Sequence, residues 1–351
     1  MKSLSFFTPP LGLAMGYGYA AYELIEAIQA SGVGVWWNNT KPYAHISFIQ
    51  PEMYTGTSKQ YRIGYTPWES TEIPELWVQK MNAMDEIWTT SNFCKDIFEQ
   101  NGVKVDLVLP HGINSDVYPI VHRELNDTFY FLHIGGPTER KGGQMVMDAF
   151  VELFDGQDNV KLIMKVNDHS EARWRDRNGV YRGSPESHSQ VIFIKDELTL
   201  EQMSALYAKA HCCVYPSNGE GFGLIPFQAI ATGCPTILTN ATGMKDFANL
   251  GIPLNVNKWI DGEGIHLGKW ALPDFDHLKT LMSSVVKYWP GYQRQANHSA
   301  RIIHSTQTWG HIAQKLENHL GEKLEMQAEG SNEVMDWMVQ YMKNSGTVNE
   351  G

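Results

Sequence analysis

A glutamate in a short glycine-rich loop is the residue of this chain best placed to do chemistry. Glu220 follows the apolar run Cys212–Tyr215 and precedes Gly221 and Gly223, and an apolar helical pattern begins a few residues later. A strand, a glycine-rich loop and a helix start together favour an anion, because backbone N–H groups and the helix dipole point there. Glycines remove the side chains that would keep a phosphate group away. The loop therefore predicts a phosphate site with one acid beside it.

A pair of basic residues lies at the start of another predicted helix. Arg140 and Lys141 follow an apolar strand and the glycines Gly135 and Gly136, and a helix with an apolar face begins at Gly143. Positive side chains oppose the dipole at a helix start, so an anionic ligand is a natural reason for them. Arginine is also well suited to two-point contact with phosphate. We expect Lys141 to contact a phosphate, while for Arg140 a solvated surface role stays open.

A second glycine-rich loop, with Gly16 and Gly18, joins the first predicted strand to a helix. A dinucleotide-binding fingerprint would need a third glycine, where Ala21 stands, and an acid after the next strand. Alanine is tolerated there, but the next strand ends in the residues 36–38, two tryptophans and an asparagine. This pattern argues against a nicotinamide-dependent oxidoreductase.

Two further candidates close strands in the first half of the chain. Trp68 could stack on a sugar or a base, and Glu69 could bond a hydroxyl or act as a base; a core tryptophan beside a capping acid is the alternative. His111 lies in a loop after Pro110, where a lone histidine is more often structural than catalytic. For all three residues a structural role and a role at a ligand remain open.

The loop after residue 215 resembles the signature Glu-Gly-Phe-Gly-Leu-x-x-x-Glu of family 4 of the retaining glycosyltransferases, which belong to glycosyltransferase group 1. The matching residues are Glu220, Gly221, Phe222, Gly223 and Leu224. Gln228 stands where the second acid is expected; Lys141 matches the lysine that usually grips the donor diphosphate, and Gly136 stands where an arginine is usual. The resemblance is strong over residues 129–238, moderate over 65–118 and weak over 268–309. It implies the α/β GT-B fold, with two Rossmann-like doubly wound domains facing across a cleft.

The resemblance also implies roles for these residues. A sugar would move from a nucleoside-diphosphate sugar to a hydroxyl with retention, without a cofactor or a metal, and with Glu220, Lys141 and Glu69 as catalytic residues. Arg140, Lys141 and the backbone N–H groups of Leu224 and Ile225 would stabilise the leaving diphosphate. Glu220 would hold the donor sugar and Gln228 the ribose. The donor contacts would be completed by Gly16, Gly18, Gly221, Phe222 and Gly223, and the acceptor side by Trp68, Glu69 and His111.

The identity of the substrates stays open at this level. A UDP-sugar is the expected donor, with a GDP-sugar as the alternative, and the acceptor is a saccharide, a lipid-linked glycan, a protein or a modified DNA base. The departures at Gly136 and Gln228 also allow a non-catalytic nucleotide-sugar-binding protein of the same fold. An epimerase or a phosphorylase of this fold is a further alternative.

Composition limits the class of protein. A chain of 351 residues is long enough for two domains. Its net charge of −11 gives no overall attraction to nucleic acid or anionic membranes, although the basic and aromatic residues of the insert 167–190 could form a local patch. No segment approaches the roughly 18 apolar residues of a membrane span, and the four cysteines show no Cys-x-x-Cys spacing. We expect a cytoplasmic protein with reduced thiols; the oligomeric state stays open.

Short apolar runs alternate with helical patterns along the chain, as in parallel sheets with crossover helices. The polar segment 114–127 breaks this alternation and is the candidate linker. We therefore expect an acceptor-side domain over 1–122, a nucleotide-sugar-binding domain over 123–308, and a helix at about 309–345 that crosses back onto the first domain. Asp274 and Asp276 are predicted to cap a helix rather than to hold a metal. Ligands of such sheets bind beyond the carboxyl ends of the strands, which places the site in the cleft between the domains.

Overall fold

The computed structural model describes residues 2–8, 16–125, 127–136, 138–166 and 188–328. These residues form two six-stranded parallel sheets and one small antiparallel hairpin. Each sheet is covered by helices on both faces, because strands buried on both sides need apolar partners above and below. The predicted fold, with two doubly wound α/β domains, is confirmed.

The first sheet has the strand order β2-β1-β3-β4-β5-β6. One of its faces packs on helix α1, and the other packs on α2 and α3 around Trp68, Trp77 and Phe98. Ser91 begins α3, since its side chain accepts a hydrogen bond from the backbone N–H of Cys94 at 3.2 Å. The elements are β1 (Ser3–Phe7), α1 (Gly16–Ala30), β2 (Gly34–Trp37), β3 (Ala44–Phe48), β4 (Tyr61–Tyr65), α2 (Glu75–Asn82), β5 (Glu86–Thr89), α3 (Asn92–Gln100) and β6 (Leu107–Val108).

The second sheet has the order β12-β11-β10-β7-β8-β9. Its strand β10 lies between the two halves of the sheet, so the loop that follows β10 opens at the point where the strand order reverses. The elements are β7 (Phe129–Ile134), α4 (Gly143–Phe154), β8 (Val160–Lys165), β9 (Val191–Ile194), α5 (Leu200–Lys209), β10 (Cys212–Tyr215), α6 (Leu224–Ala231), β11 (Thr236–Thr239) and β12 (Ile252–Leu254).

A hairpin and two helices complete the described chain. Strands β13 (Val256–Asp261) and β14 (Lys269–Pro273) form the hairpin, which together with β12 was not predicted from the sequence. The long helix α7 (Phe275–Thr306) begins at Asp274, whose side chain accepts a hydrogen bond from the N–H of His277 at 2.9 Å. This contact confirms the capping role predicted for Asp274. Helix α7 is kinked at Tyr288, two residues before Pro290.

The last described helix, α8 (Trp309–Leu320), packs on the first domain. Its apolar face, with Trp309, Ile312 and Leu316, shares a buried cluster with α1 and the first sheet. Gly112 makes this close contact feasible, because a Cβ there would lie 2.5 Å from the backbone nitrogen of Trp309. The chain thus returns to its first domain after completing the second. Residues 9–15, residues 167–187 of the predicted insert, and the residues after 328 lie outside the described part of the chain.

Candidate functional site

Glu220 lies in the loop between β10 and α6 and is the centre of a charged cluster. The residue is 7% exposed, and the hydrogen bonds to its carboxylate converge on the Oε1 atom. Tyr215 donates from its hydroxyl at 3.0 Å, and Ser217 Oγ lies at 2.8 Å. The second oxygen, Oε2, takes part in none of these bonds.

The two predicted cations complete the cluster. Lys141 and Arg140 belong to a single turn of 3-10 helix, Glu139–Lys141, which precedes α4. The Nζ atom of Lys141 lies 2.6 Å from Glu220 Oε1 and 3.0 Å from the Tyr215 hydroxyl, and Arg140 Nη1 lies 3.3 Å from the same Oε1. Both predicted cations therefore meet the predicted acid at one point.

The electrostatics of this cluster favour the ionised carboxylate. Burial alone would raise the pKa of Glu220, but the adjacent charges of Lys141 and Arg140, with the hydrogen bonds from Lys141 and Ser217, outweigh it and lower the pKa to about 2. The guanidinium of Arg140 is stabilised in turn by Glu220 and Glu69, which raise its pKa against the effect of burial. At this point two positive charges face one buried carboxylate, and Glu69, with its Oε1 atom 3.9 Å from Arg140 Nη2, adds a second acid at the edge of the cluster.

The loop that carries Glu220 ends at a helix start with uncapped N–H groups. Gly223 has φ of 102° and precedes α6, and no side chain caps this helix. A Cβ on Gly223 would lie 2.6 Å from Met244 Cγ. Both the positive φ and the lack of space for a side chain therefore favour glycine here. Leu224 and Ile225 begin the first turn, where backbone N–H groups have no acceptor within the helix. Helix α6 starts two residues earlier than the sequence predicted. The backbone N–H groups of Leu224 and Ile225 therefore both belong to its first turn.

Gly219 and Gly221 serve a second purpose, which is contact between the domains. A Cβ on Gly219 would lie 2.2 Å from the carbonyl oxygen of Glu69, and one on Gly221 would lie 2.3 Å from Pro67 Cβ. Thr90 of the first domain also donates a hydrogen bond to the carbonyl of Gly221 at 2.8 Å. The loop around Glu220 is therefore pressed directly against the strand ends of the first domain. Phe222 lies in the same contact, with its ring 5.0 Å from that of His111.

Gln228 lies inside α6, 3% exposed, and its Oε1 atom accepts a hydrogen bond from the Tyr207 hydroxyl at 3.1 Å. The role of Gln228 at a ribose stays a prediction. Gly136 leaves room for the arginine that the family usually has there, since a Cβ would meet nothing within 4 Å. The structure instead places Arg140 beside Glu220.

On the side of the first domain, Glu69 lies at the edge of the same cluster. Its Oε1 atom lies 3.9 Å from Arg140 Nη2, and its Oε2 atom lies 3.8 Å from Nδ1 of His266. Burial raises the pKa of Glu69, and Arg140 opposes that rise. Trp68 is buried and donates from Nε1 to the carbonyl of Glu72 at 2.8 Å; its ring contacts Trp77 edge to face and His266 at a tilt of 40°. Trp68 is thus a core residue with one edge at the cleft.

His111 is 7% exposed and is enclosed by the rings of Phe48, Trp309 and Phe222, at centroid distances of 6.1, 5.7 and 5.0 Å. Neither ring nitrogen has a hydrogen-bond partner among the described residues. Burial lowers the pKa of His111 to about 3, so the imidazole is neutral at physiological pH. These contacts favour packing between the domains as its role.

The predicted glycines Gly16 and Gly18 lie in the first turn of α1. Gly18 is buried, while Gly16 is exposed and has open space where a Cβ would stand. Between them, Tyr17 contacts Thr66 at the end of β4, with 2.6 Å between the two hydroxyl oxygens. These glycines therefore lie at the carboxyl ends of the first sheet, on the side where Glu69 is found. Their contact with a donor stays a prediction.

The sequence did not indicate three residues of this site. Tyr215 and Ser217 precede Glu220 by five and three residues, and these positions could have suggested them as hydrogen-bond donors. His266 gave no local signal, because it comes from the unpredicted hairpin and is separated from Glu69 by almost two hundred residues. Over the described ranges, no group of three or more His, Cys, Asp or Glu side chains is arranged to hold a metal ion. In those ranges, too, no helix has the length and apolar character needed to cross a membrane.

Comparison with solved structures defines the class of fold. HepE from Anabaena, solved in complex with UDP-glucose, superimposes with a TM-score of 0.65 at 12% identity and covers 92% of this chain and 100% of that one. Sucrose-phosphate synthase from Thermosynechococcus elongatus gives a TM-score of 0.61 at 15% identity, with 91% and 98% of the two chains covered. Two doubly wound domains that face each other in this arrangement define the GT-B fold.

Comparison of sequences adds the family. Residues 128–259 match the family model of the glycosyl transferases group 1, which confirms the resemblance seen in the Glu220 loop. The O-antigen chain mannosyltransferase RfbU of Salmonella typhimurium is 38% identical over 180 residues, which are 48% of each chain. Putative glycosyltransferase 45 of a Sulfolobus islandicus filamentous virus is 19% identical over 68% of this chain and 66% of its own. The chain spans between about a third and two thirds of the length of most of the curated relatives that it matches.

Proposed function

We propose that this protein is a retaining, metal-independent hexosyltransferase that moves a sugar from a nucleoside-diphosphate sugar to a hydroxyl. The observation that carries the proposal is the cluster of Glu220, Lys141 and Arg140 beside the uncapped start of α6. This arrangement offers two cations and free N–H groups to a diphosphate, and one carboxylate oxygen, Glu220 Oε2, to a sugar hydroxyl. Domain 123–308 would bind the donor, and domain 1–122 with the last helix would present the acceptor.

The charges in the cluster suit departure of a diphosphate. As the bond between the sugar and the phosphate breaks, negative charge develops on the diphosphate, and Lys141 and Arg140 are already fixed beside that position. Fixed charges in a partly buried site stabilise such a change without reorganisation, and each is typically worth about 3 kcal/mol. Glu220 keeps the two cations in place before the donor arrives.

The donor is a UDP-sugar in this proposal, with a GDP-sugar as the alternative. HepE was solved with UDP-glucose bound, and RfbU is named as a mannosyltransferase; both relatives support a nucleotide-sugar of this kind. The acceptor is a hydroxyl of a saccharide, a lipid-linked glycan, a protein or a modified DNA base. A non-catalytic binding protein of the same fold is the competing function, favoured by glutamine at 228 and glycine at 136.

The test is the release of UDP from UDP-glucose, and of GDP from GDP-mannose, with and without pools of acceptors. The Glu220→Gln variant should lose transfer while its affinity for free UDP or GDP, measured by calorimetry, holds or rises. The reason is that the neutral amide no longer competes with the diphosphate for Lys141 and Arg140. Glu99→Gln, which removes a carboxylate from the exposed Lys95–Glu99 ion pair, is the matched control and should leave both quantities unchanged.

Two results would contradict the proposal. Binding of both nucleotide-sugars without any release of nucleotide would favour the non-catalytic protein. Collapse of nucleotide affinity in Glu220→Gln would place Glu220 at the nucleotide rather than at the sugar. The anomeric configuration of the product, determined by NMR, tests retention separately.

A further inference from the structure

The hairpin of the second domain reaches across the cleft and binds the first domain. Lys269 donates its backbone N–H to Thr71 Oγ1 at 2.8 Å, and Thr71 donates its own N–H to the carbonyl of Lys269 at 3.2 Å. Gly268 has φ of 76°, and a Cβ there would lie 2.4 Å from Thr71 Oγ1 and 2.9 Å from the backbone nitrogen of Glu72. The contact thus requires glycine at 268. We call this contact between the hairpin and Thr71 the junction between the domains.

This junction fixes one side chain, His266, over the acceptor side of the cleft. The tip of the hairpin is closed by a hydrogen bond from the N–H of Gly262 to the carbonyl of Gly268 at 2.8 Å. The imidazole lies between two tryptophans, with ring centroids 5.1 Å from Trp68 and 5.4 Å from Trp270. One tryptophan comes from each domain, so the ring has this environment only while the domains are in contact.

The imidazole faces Glu69 but does not yet bond it. The Nδ1 atom of His266 is buried without a hydrogen-bond partner among the described residues and lies 3.8 Å from Glu69 Oε2. A buried polar atom without a partner is unusual and destabilising. Catalytic hydrogen bonds are often long before the substrate binds and tighten afterwards. A movement of about 1 Å would bring the two atoms to hydrogen-bond distance.

We propose that His266 is a positioning residue that donates a hydrogen bond from Nδ1 to Glu69 and orients this carboxylate toward the acceptor hydroxyl. The acceptor site would then be complete only when the hairpin bridges the two domains. This inference rests on the proposed function and adds to it a residue and a dependence on domain contact.

The acceptor oxygen forms a bond to the sugar carbon on the same face from which the diphosphate departs, as retention requires, while the bond from that carbon to the diphosphate breaks and the diphosphate keeps the electron pair. The acceptor proton passes to a carboxylate oxygen of Glu69, whose other oxygen is held by His266. The imidazole stays neutral and changes only its hydrogen bond. A base held in place by a second group follows the same logic as other activated hydroxyls in enzymes.

The surrounding charges are compatible with these protonation states. Glu69 and His266 are faced by Arg140 and Lys141 from the turn before α4, and by Glu220 from the loop after β10. Burial, together with Arg140, lowers the pKa of His266 to about 4, so the imidazole is neutral at pH 7. Burial raises the pKa of Glu69, which brings this carboxyl closer to the range of a general base. A neutral imidazole can donate from Nδ1 only in the tautomer that carries the proton on this atom.

The test uses water as the acceptor, so that no natural acceptor is needed. Release of UDP from UDP-glucose is followed against pH for the wild type, His266→Ala, His266→Asn and Glu69→Gln, with UDP affinity measured by calorimetry. His266→Ala should lower turnover about tenfold or more at unchanged UDP affinity, in the range of the effects of supporting residues. The acidic limb of its pH–rate profile should move to higher pH, because loss of the hydrogen bond from His266 raises the pKa of Glu69. In His266→Asn the side-chain amide N–H lies near the position of Nδ1. This variant should therefore keep part of the wild-type turnover and show a smaller shift of the acidic limb than His266→Ala.

A structural role would give a different pattern. Equal losses in the alanine and asparagine variants with an unmoved acidic limb, or no loss in either, would overturn the proposal. Ile265→Ala, at an exposed neighbour on the same hairpin tip, is the matched control and should behave as the wild type. The proposed function fails in a separate way, if the wild type itself releases no nucleotide. A readout without turnover is the ¹⁵N NMR signal of the His266 imidazole in the UDP-bound protein, which should show a proton on Nδ1 in the wild type and lose this preference in Glu69→Ala, where no acceptor is left at position 69; the same tautomer in both proteins would overturn the inference.

Discussion

The two sides of the cleft, which bind the donor and the acceptor in the proposed function, are built in opposite ways. On the donor side, Glu220, Lys141 and Arg140 come from two neighbouring loops of one sheet and already contact each other. On the acceptor side, Glu69 and His266 come from different domains, and the nitrogen of His266 that faces Glu69 has no partner among the described residues. The first set of residues is electrostatically complete, and the second set still lacks hydrogen bonds.

In the proposed function, this difference follows from what each side of the cleft binds. A diphosphate has a fixed shape and charge, so a preformed set of cations and N–H groups can bind it with little loss of entropy. An acceptor hydroxyl is neutral, and it must approach only when the donor is in place. A site that is assembled from two domains suits that order of events, because it gains its full set of contacts on closure.

The largest effect is expected from breaking the complete side. Lys141→Ala removes the cation 2.6 Å from Glu220, and turnover should fall by about a hundredfold or more, since a contact to developing phosphate charge is typically worth about 3 kcal/mol. The fold should persist, because the side chain of Lys141 is partly exposed and Arg140 still pairs with Glu220. Release of UDP at saturating UDP-glucose, with circular dichroism for folding, measures both.

Lys95→Ala is the control for this prediction, since Lys95 pairs with Glu99 on the exposed face of α3, where ion pairs contribute little. Unchanged turnover in Lys141→Ala at saturating donor would show that the donor side does not depend on this charge. The comparison between the two sides of the cleft would then lose its basis.

A smaller effect is expected from His111, which lacks hydrogen-bond partners among the described residues. Burial lowers the pKa of His111 to about 3, whereas a histidine in an unfolded chain titrates near 6.5. Between these values the unfolded chain binds a proton that the folded chain does not, so His111 makes the folded state less stable as the pH falls from about 6.5 toward 3. His111→Leu should remove this part of the pH dependence, worth about 2 kcal/mol between pH 6.5 and 4.5.

The measurement is the free energy of unfolding in urea at several pH values, with UDP affinity recorded alongside. His122→Leu changes a histidine whose side chain is 83% exposed, and it should leave the pH dependence as it is in the wild type. The opposite result would be a His111→Leu variant whose stability depends on pH as in the wild type but whose affinity for UDP is lost. His111 would then contact the donor, and packing between Phe48 and Phe222 would not be its main role.

The contrast between the two sides also explains what the sequence could and could not predict. Glu220, Lys141 and the start of α6 were predicted because each lies in one short segment at the end of a buried strand, where the topology of the sheet alone brings them together. The hairpin was missed because β13 is mostly exposed and carries no clear alternation of apolar residues. His266 reaches Glu69 only through the contact of the hairpin with Thr71, and a contact between distant segments leaves no local pattern in a sequence.

Cβ contacts show a second limit of sequence interpretation. Gly221 was predicted to admit a phosphate, but in the structure a Cβ there would first collide with Pro67 and Trp68 of the other domain. Glycine in a loop indicates close approach without indicating what approaches. The family match over residues 128–259 includes the Glu220 loop and agrees with the resemblance seen there. Only the structure shows that the first domain contacts this loop.

The smallest effect is expected at Gln228, which stands where the Glu220 loop signature has its second acid. Gln228→Glu keeps an acceptor for the Tyr207 hydroxyl, which now lies 3.1 Å from the glutamine oxygen, so the packing of α6 should survive. If position 228 faces the ribose, a charged acceptor should tighten binding of UDP by about 1 kcal/mol, roughly fivefold, and favour UDP over its 2′-deoxy analogue more than glutamine does. Burial of the new charge and repulsion from the diphosphate reduce the gain in absolute affinity, but both act almost equally on the two nucleotides. Titration of both proteins with both nucleotides therefore isolates the contact, and an identical ribo-to-deoxy ratio would show that residue 228 supports Tyr207 and does not read the 2′-hydroxyl.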